Sequence, residues 1–408
     1  MSRYFDHAAT TPVRPTAVRV LTELLPQLAN PSSLHGSGRR ARLAVDSARA
    51  QLAAAAGADA SEVIFTSGGT EADNLALKGL WWQRRDPKTS DGDPRRRRIL
   101  LPGMEHHAVL DTAEWLEAQE GAELVFIPVD TEGIIDLDAL EQLLADEPET
   151  IALATVMWAN NEVGAIQPVA EVARLCAEAG VPLHTDAVQA FGNEPEGAPT
   201  VNFAESGAAT MAISGHKLGA PVGIGALFVR RDVKLTPVLH GGGQERDIRS
   251  GTLDAPGICA FAAVAEEVAA QRNKEAQRLS GLRDQLLAAV VDLEGVTLGG
   301  PDPRISPEKR LVNNLHITVD GAEGDSLLFM LDMAGFDTAT GSACTAGVPR
   351  PSHVLLAMGL PESAARGAQR FSLGWTTTEE DITALADALP GIIGQSRAAG
   401  MAGYSEVP

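Results

Sequence analysis

A chain of 408 residues with 44% hydrophobic and 21% charged residues is ordinary in composition for a folded protein and long enough for about two domains. Its formal net charge of −21 argues against nucleic acid as a direct partner, because phosphate backbones demand basic surface. Three cysteines without a C-x-x-C pair argue against a disulfide framework or a zinc site, and no apolar leader or bilayer-length apolar run is present, which points to the cytoplasm and no membrane contact.

In chain order, the first 15 residues, with Tyr4-Phe5-Asp6-His7-Ala8-Ala9-Thr10-Thr11-Pro12, are too polar and turn-rich for a core element and read as an extended arm. A helix is expected from about Arg39 to Ala55, with Leu43, Val45, Ala48 and Leu52 mostly on one face. Strand-like runs then follow at 62–66, 98–102, 123–129, 150–158, 182–187, 208–213 and 224–230, with helical patterns at 70–83, 108–119, 136–145 and 168–179. That alternation predicts a mostly parallel seven-stranded sheet with helices on both faces, in a large α/β domain over 16–256. The last two strands are joined closely enough to pair antiparallel. Asp86 to Arg98 is a polar insertion ending in four arginines, read as an exposed loop, with a basic docking patch as the alternative. After Gly257 a long helix, strands near 315–319 and 369–375, a helix near 325–334 and a final helix from Glu379 form a smaller α+β domain over 257–408. Its Gly/Ala/Ser-rich tail after Gly394 is expected to fray.

The polar residues of this chain gather where strands end. Ala208 to Ile213 delivers Ser214, Gly215, His216 and Lys217 into a turn, and a primary amine there suits imine formation with a carbonyl such as the aldehyde of pyridoxal phosphate. Ser67-Gly68-Gly69-Thr70 opens a helix whose free N–H groups and Thr70 hydroxyl make a phosphate cradle, although the same pattern also serves ordinary capping. Asp186 closes another strand, where a pyridinium N–H would satisfy it; an N-cap is the alternative. His106 stands where an imidazole could stack on a flat ring and shuttle protons. Asn160-Asn161-Glu162-Val163-Gly164 follows the strand 150–158. Among the cysteines, Cys176 and Cys259 fall in packing patterns, whereas Cys344 sits among Gly341, Ser342, Ala343, Thr345, Ala346 and Gly347, a loop composition.

These motifs, with Gly241-Gly242-Gly243-Gln244-Glu245-Arg246, Arg249-Ser250-Gly251-Thr252 and Arg370-Phe371-Ser372-Leu373-Gly374, resemble the cysteine desulfurases of the NifS/IscS branch over nearly the whole chain. That branch lies within the class-V aminotransferases, which share the fold-type I, aspartate aminotransferase-like architecture. The resemblance implies a homodimer in which the N-terminal arm packs with the small domain and Lys217 holds pyridoxal phosphate through its amine. Asp186 would pair with the ring nitrogen, Gln189 with the ring hydroxyl, and His106 would stack on the ring. Gly69, Thr70, Ser214 and His216 would hold the phosphate, with Thr252 reaching in from the other subunit. Asn161, also beside the cofactor, and Arg370 would grip the carboxylate of L-cysteine. Lys217, His106 and Cys344 would carry the catalysis, with Cys344 taking the sulfur as a persulfide for an acceptor protein, in iron–sulfur cluster assembly or tRNA thiolation. A selenocysteine lyase, a non-desulfurase of the same fold and a non-catalytic sulfur-transfer scaffold are the alternatives.

Overall fold

The computed structural model describes residues 2–27, 29–341 and 351–404. The arm forms a two-residue strand, β1 (Arg3–Tyr4), before helices α1 (Pro15–Leu24) and α2 (Gly36–Ala55). From there the chain alternates through β2 (Val63–Thr66), α3 (Gly69–Arg85), β3 (Arg98–Pro102), α4 (His107–Glu120), β4 (Glu123–Ile127), α5 (Leu137–Ala145), β5 (Ile151–Thr155), α6 (Val169–Glu178) and β6 (Leu183–Asp186). A short α7 (Phe203–Ser206), β7 (Thr210–Ser214) and β8 (Gly225–Val229) close this part, and the long α8 (Ala255–Val290) leads away from it. The remainder holds β9 (Val296–Leu298), β10 (Asn314–Val319), α9 (Gly324–Met333), β11 (Phe336–Asp337), α10 (His353–Ala357), α11 (Glu362–Ala365), β12 (Ala368–Ser372) and α12 (Glu379–Tyr404).

The large sheet has the order β2-β8-β7-β6-β5-β3-β4. Pairings β3–β4, β3–β5, β5–β6 and β6–β7 are parallel, while β8 runs antiparallel to both β7 and β2. Six strands therefore share one direction and β8 alone is reversed, which a short β7–β8 connection permits and a crossover helix would not. The expected seven-strand, mostly parallel sheet is the observed one. Strands β2, β3, β5, β6, β7 and β8 are buried along their length, as a sheet covered on both faces requires.

Helix α8 joins two cores. Ile258, Phe261, Val264 and Val268 of its first half belong to the apolar cluster on one face of the large sheet. Leu279, Leu282, Leu286 and Val290 of its second half pack with Leu315, Ile317, Phe371 and Leu385 in the smaller core. A three-stranded sheet, β12-β10-β9, backs that core, and β1 pairs in parallel with β11, so the arm is stitched to this part of the molecule. The isolated bridge between Asp6 and Ser372 extends the stitching.

The Asp86–Arg98 insertion is the largely exposed loop expected from the sequence, whereas the tail differs from expectation. The four arginines closing the Asp86–Arg98 insertion are each paired within the chain. Arg95 bonds Asp93 at 2.8 Å, Arg96 the Ile151 carbonyl at 3.1 Å, Arg97 the Glu123 carboxylate at 3.1 Å and Arg98 the Asp146 carbonyl at 2.6 Å. Arg96, Arg97 and Arg98 thus tie the end of the insertion to neighbouring elements, while Arg95 pairs within it. The tail after Gly394 continues as helix to Tyr404, because Ala398, Ala399 and Ala402 are strong helix formers that offset the glycines.

Candidate active site

Parallel strands carry their loops to one edge, and here four of them, β2, β5, β6 and β7, end on polar residues. β2 ends at Thr66 and passes through Gly68 into α3, whose start has no side-chain cap. The loop can lie flat on the sheet because Gly225 faces it: a Cβ at Gly225 would stand 2.7 Å from the Gly68 backbone. A Cβ at Gly69 would likewise come within 2.8 Å of Val188, so any larger residue would push the helix start off the sheet. The first N–H groups of α3 have no intrahelical acceptor, and Gly69 at its start lies beside Ser214, whose buried hydroxyl has no partner.

A cavity of about 220 Å³ lies at this edge, with Lys217, Asp186 and His106 on its walls. Lys217 leaves the single helical turn after β7 and donates to the Ala8 carbonyl and, at 2.9 Å, to the Ala9 carbonyl of the arm. Burial, with the Arg370 charge adding to it, pushes its amine down to about 8, so it gives up its proton near neutral pH far more readily than an ordinary lysine. Asp186 accepts the Val188 N–H at 2.8 Å on Oδ1, and burial raises its carboxyl while Val188 and the Lys217 charge hold it back. The His106 side chain caps α4, taking the Ala108 N–H on Nδ1 at 3.1 Å; this fixes the ring's orientation, and burial pushes it down to about 4. Gln189 donates to the Ala8 carbonyl at 2.8 Å and His216 Nδ1 lies 3.2 Å from the Thr10 hydroxyl.

Arg370 on β12 reaches the cavity's margin. It donates to the Asn161 carbonyl at 3.0 Å and to Asp6 Oδ1 at 2.8 Å. Asp6 is thus the carboxylate that aims the guanidinium, a partner whose identity depends on the arm folding back across 364 residues. Sequence spacing carries no trace of such a contact.

Comparison with known proteins agrees with this geometry. The family model for aminotransferase class-V matches residues 3–385. The IscS-like cysteine desulfurase of Mycobacterium tuberculosis is 46% identical over 400 residues, covering 98% of each chain. The chain is a class-V aminotransferase of the cysteine desulfurase group. Among solved structures, a NifS-like protein superposes with a TM-score of 0.85 at 32% identity, over 97% of this chain and 100% of its own. SspA in complex with cysteine gives a TM-score of 0.75 at 29% identity, over 91% of this chain and 99% of its own.

Within this desulfurase, the cavity walls include Gly69, Thr70, His106, Asn161, Asp186, Gln189, Ser214, His216 and Lys217 together. Thr252 is exposed and is not among those walls; its segment is docked on α3 by the Arg249–Glu71 ion pair at 2.7 Å. Cys344 lies outside the described residues. The described flanks on either side of it are anchored beside the site: Ala339 exchanges backbone hydrogen bonds with Arg370, and the Ser352 hydroxyl donates to Glu162 at 2.5 Å. The cavity also holds residues the sequence did not single out, Asp73, Met157, Ala159 and Val188. Asp73 was within reach, since it follows Gly69 by one helical turn and so shares its face.

The residues present fit pyridoxal phosphate. An uncapped helix start beside an unpartnered hydroxyl is an anion site, and Gly69 leaves room for close approach. A buried carboxylate with a single backbone donor on one oxygen awaits a cationic N–H. The lysine amine stands on the same cavity wall set.

Proposed function

We propose that the chain is a cysteine desulfurase that binds pyridoxal phosphate and removes sulfur from L-cysteine, releasing L-alanine and leaving a persulfide on Cys344. The observation that carries this reading is the convergence of Lys217, Asp186 and the uncapped start of α3 on one cavity, in a chain of the desulfurase group.

Pyridoxal phosphate, when bound, supplies an electron sink for the bonds broken at the substrate's Cα. The protein's share follows from its side chains. Lys217 holds the cofactor through its amine; once released, its lowered pKa suits it to take the Cα proton on Nζ. Asp186 keeps a proton on the ring nitrogen, His106 covers the ring face, and Gln189 meets the ring hydroxyl. Gly69, Thr70, Ser214 and His216 hold the phosphate. Arg370, aimed by Asp6, and Asn161 hold the substrate carboxylate. The Cys344 thiolate then takes the substrate's sulfur, so that cysteine plus thiol becomes alanine plus persulfide.

A homodimer, in which Thr252 of a second copy completes the phosphate site, is supported by the exposure of Thr252 outside its own chain's cavity. A protein acceptor for the persulfide and a cytoplasmic address complete the proposal. Among the described residues no helix is long and apolar enough to cross a membrane.

Mass spectrometry of the chain after incubation with L-cysteine tests the proposal. One sulfur is expected on the peptide bearing Cys344, with alanine formed in step, and Cys344→Ala should lower alanine formation about 10²-fold or more. Added sulfur on Cys176 or Cys259 instead, or full turnover in Cys344→Ala, would mean that the nucleophile is misassigned.

A further inference from the structure

Three carboxyl groups are withdrawn from solvent around the cavity floor: Asp186, Asp73 and Glu105, at 5%, 1% and 0% exposure. Asp73 lines the cavity from α3 and sets its Oδ1 3.1 Å from His184 Nε2. The other ring nitrogen, Nδ1, lies 2.9 Å from the Thr210 hydroxyl. This line of groups is fixed by the sheet. His184 and Asp186 are two apart on β6 and share a face, and the β6–β7 register sets His184 against Thr210.

Carboxylates crowded together away from bulk solvent cannot all be charged. Their surroundings sort them. Asp186 receives the Val188 N–H and faces the Lys217 amine, both of which favour its charge. Glu105 receives the Met157 N–H at 2.7 Å on one oxygen, while its other, Oε2, has no partner. The side-chain partner of Asp73 is an imidazole nitrogen, able to accept a proton from it.

We infer that Asp73 works as a neutral acid whose O–H is donated to His184 Nε2, that His184 Nδ1–H is donated in turn to the Thr210 hydroxyl, and that this uncharged chain assigns the floor's negative charge to Asp186. The electrostatics agree. Burial, then the charges of Asp186 and Glu105, push Asp73 well above the usual carboxyl range, and burial pushes Glu105 up to about 8. His184, wholly buried, is pushed down to about 3 and stays neutral, as does His106 in the cavity wall, pushed down to about 4. Asp73 is a positioning residue in this scheme, acting on the cofactor through Asp186. The inference rests on the reading of Asp186 as the partner of the ring nitrogen.

Infrared spectroscopy of the full chain near neutral pH, paired with titration of the cofactor-free protein by pyridoxal phosphate, tests it on wild type, Asp73→Asn and Asp186→Asn. The protonated-carboxyl stretch is expected to lose intensity in Asp73→Asn, because the amide replaces a neutral acid. Affinity for pyridoxal phosphate should stay within about threefold in that variant, and fall about tenfold or more in Asp186→Asn, where an ion pair is lost. An unchanged carboxyl stretch, or equal loss of affinity in the two variants, would overturn the inference. Should Asp73→Asn not fold, His184→Gln and His184→Leu decide it: the glutamine carbonyl still accepts the Asp73 proton and should preserve affinity, whereas leucine should lower it, and equal behaviour of the two would refute the scheme. If the wild-type chain binds no pyridoxal phosphate, the cofactor reading fails, while the infrared comparison still decides the state of Asp73.

Discussion

Lys217→Ala is expected to lower alanine production from L-cysteine by about 10³-fold or more, because one amine serves both as the cofactor's anchor and as the base for the Cα proton. The fold should survive. The Ala8 and Ala9 carbonyls would each lose a donor, at about 1 kcal/mol apiece, which a domain of this size tolerates. Steady-state alanine assays alongside circular dichroism make the check: a folded variant turning over at the wild-type rate would remove Lys217 from the chemistry.

Asp186→Asn should have the next largest effect, a fall in kcat of about 10² to 10³-fold. An asparagine keeps the shape and the Val188 hydrogen bond but cannot bear the charge that retains a proton on the ring nitrogen. KM for L-cysteine should change little, since Arg370 and Asn161 lie elsewhere on the site. A variant that raised KM while sparing kcat would place Asp186 in substrate binding instead.

Much of this architecture was legible in the sequence. The large-sheet strands were visible because most of them are buried and so read as continuous apolar runs, and their alternation with amphipathic helices is a long-range pattern repeated several times. The site was legible for a related reason. Polar residues such as Asp186 and Lys217 stand out when they terminate such runs. What escaped was set by contacts distant in sequence or too short to have a period. β1 is two residues long, and its pairing with β11 exists only because the arm crosses to the smaller core. Asp6 could be quoted as part of a motif, but its bond to Arg370 is a product of that crossing. Asp73 looked like an ordinary polar residue in the first turns of a helix, and only the packing of α3 on β6 brings His184 against it. Arg96, Arg97 and Arg98 of the insertion looked free because their partners, the Ile151 carbonyl, Glu123 and Asp146, come from other elements.

The most direct test of the central claim is chemical trapping. The protein is loaded with pyridoxal phosphate, reduced with borohydride so that any lysine-bound cofactor becomes permanently attached, digested, and its peptides are weighed. The added mass is expected on the peptide containing Lys217. Stoichiometric attachment at another lysine, or at none, would contradict the site described above.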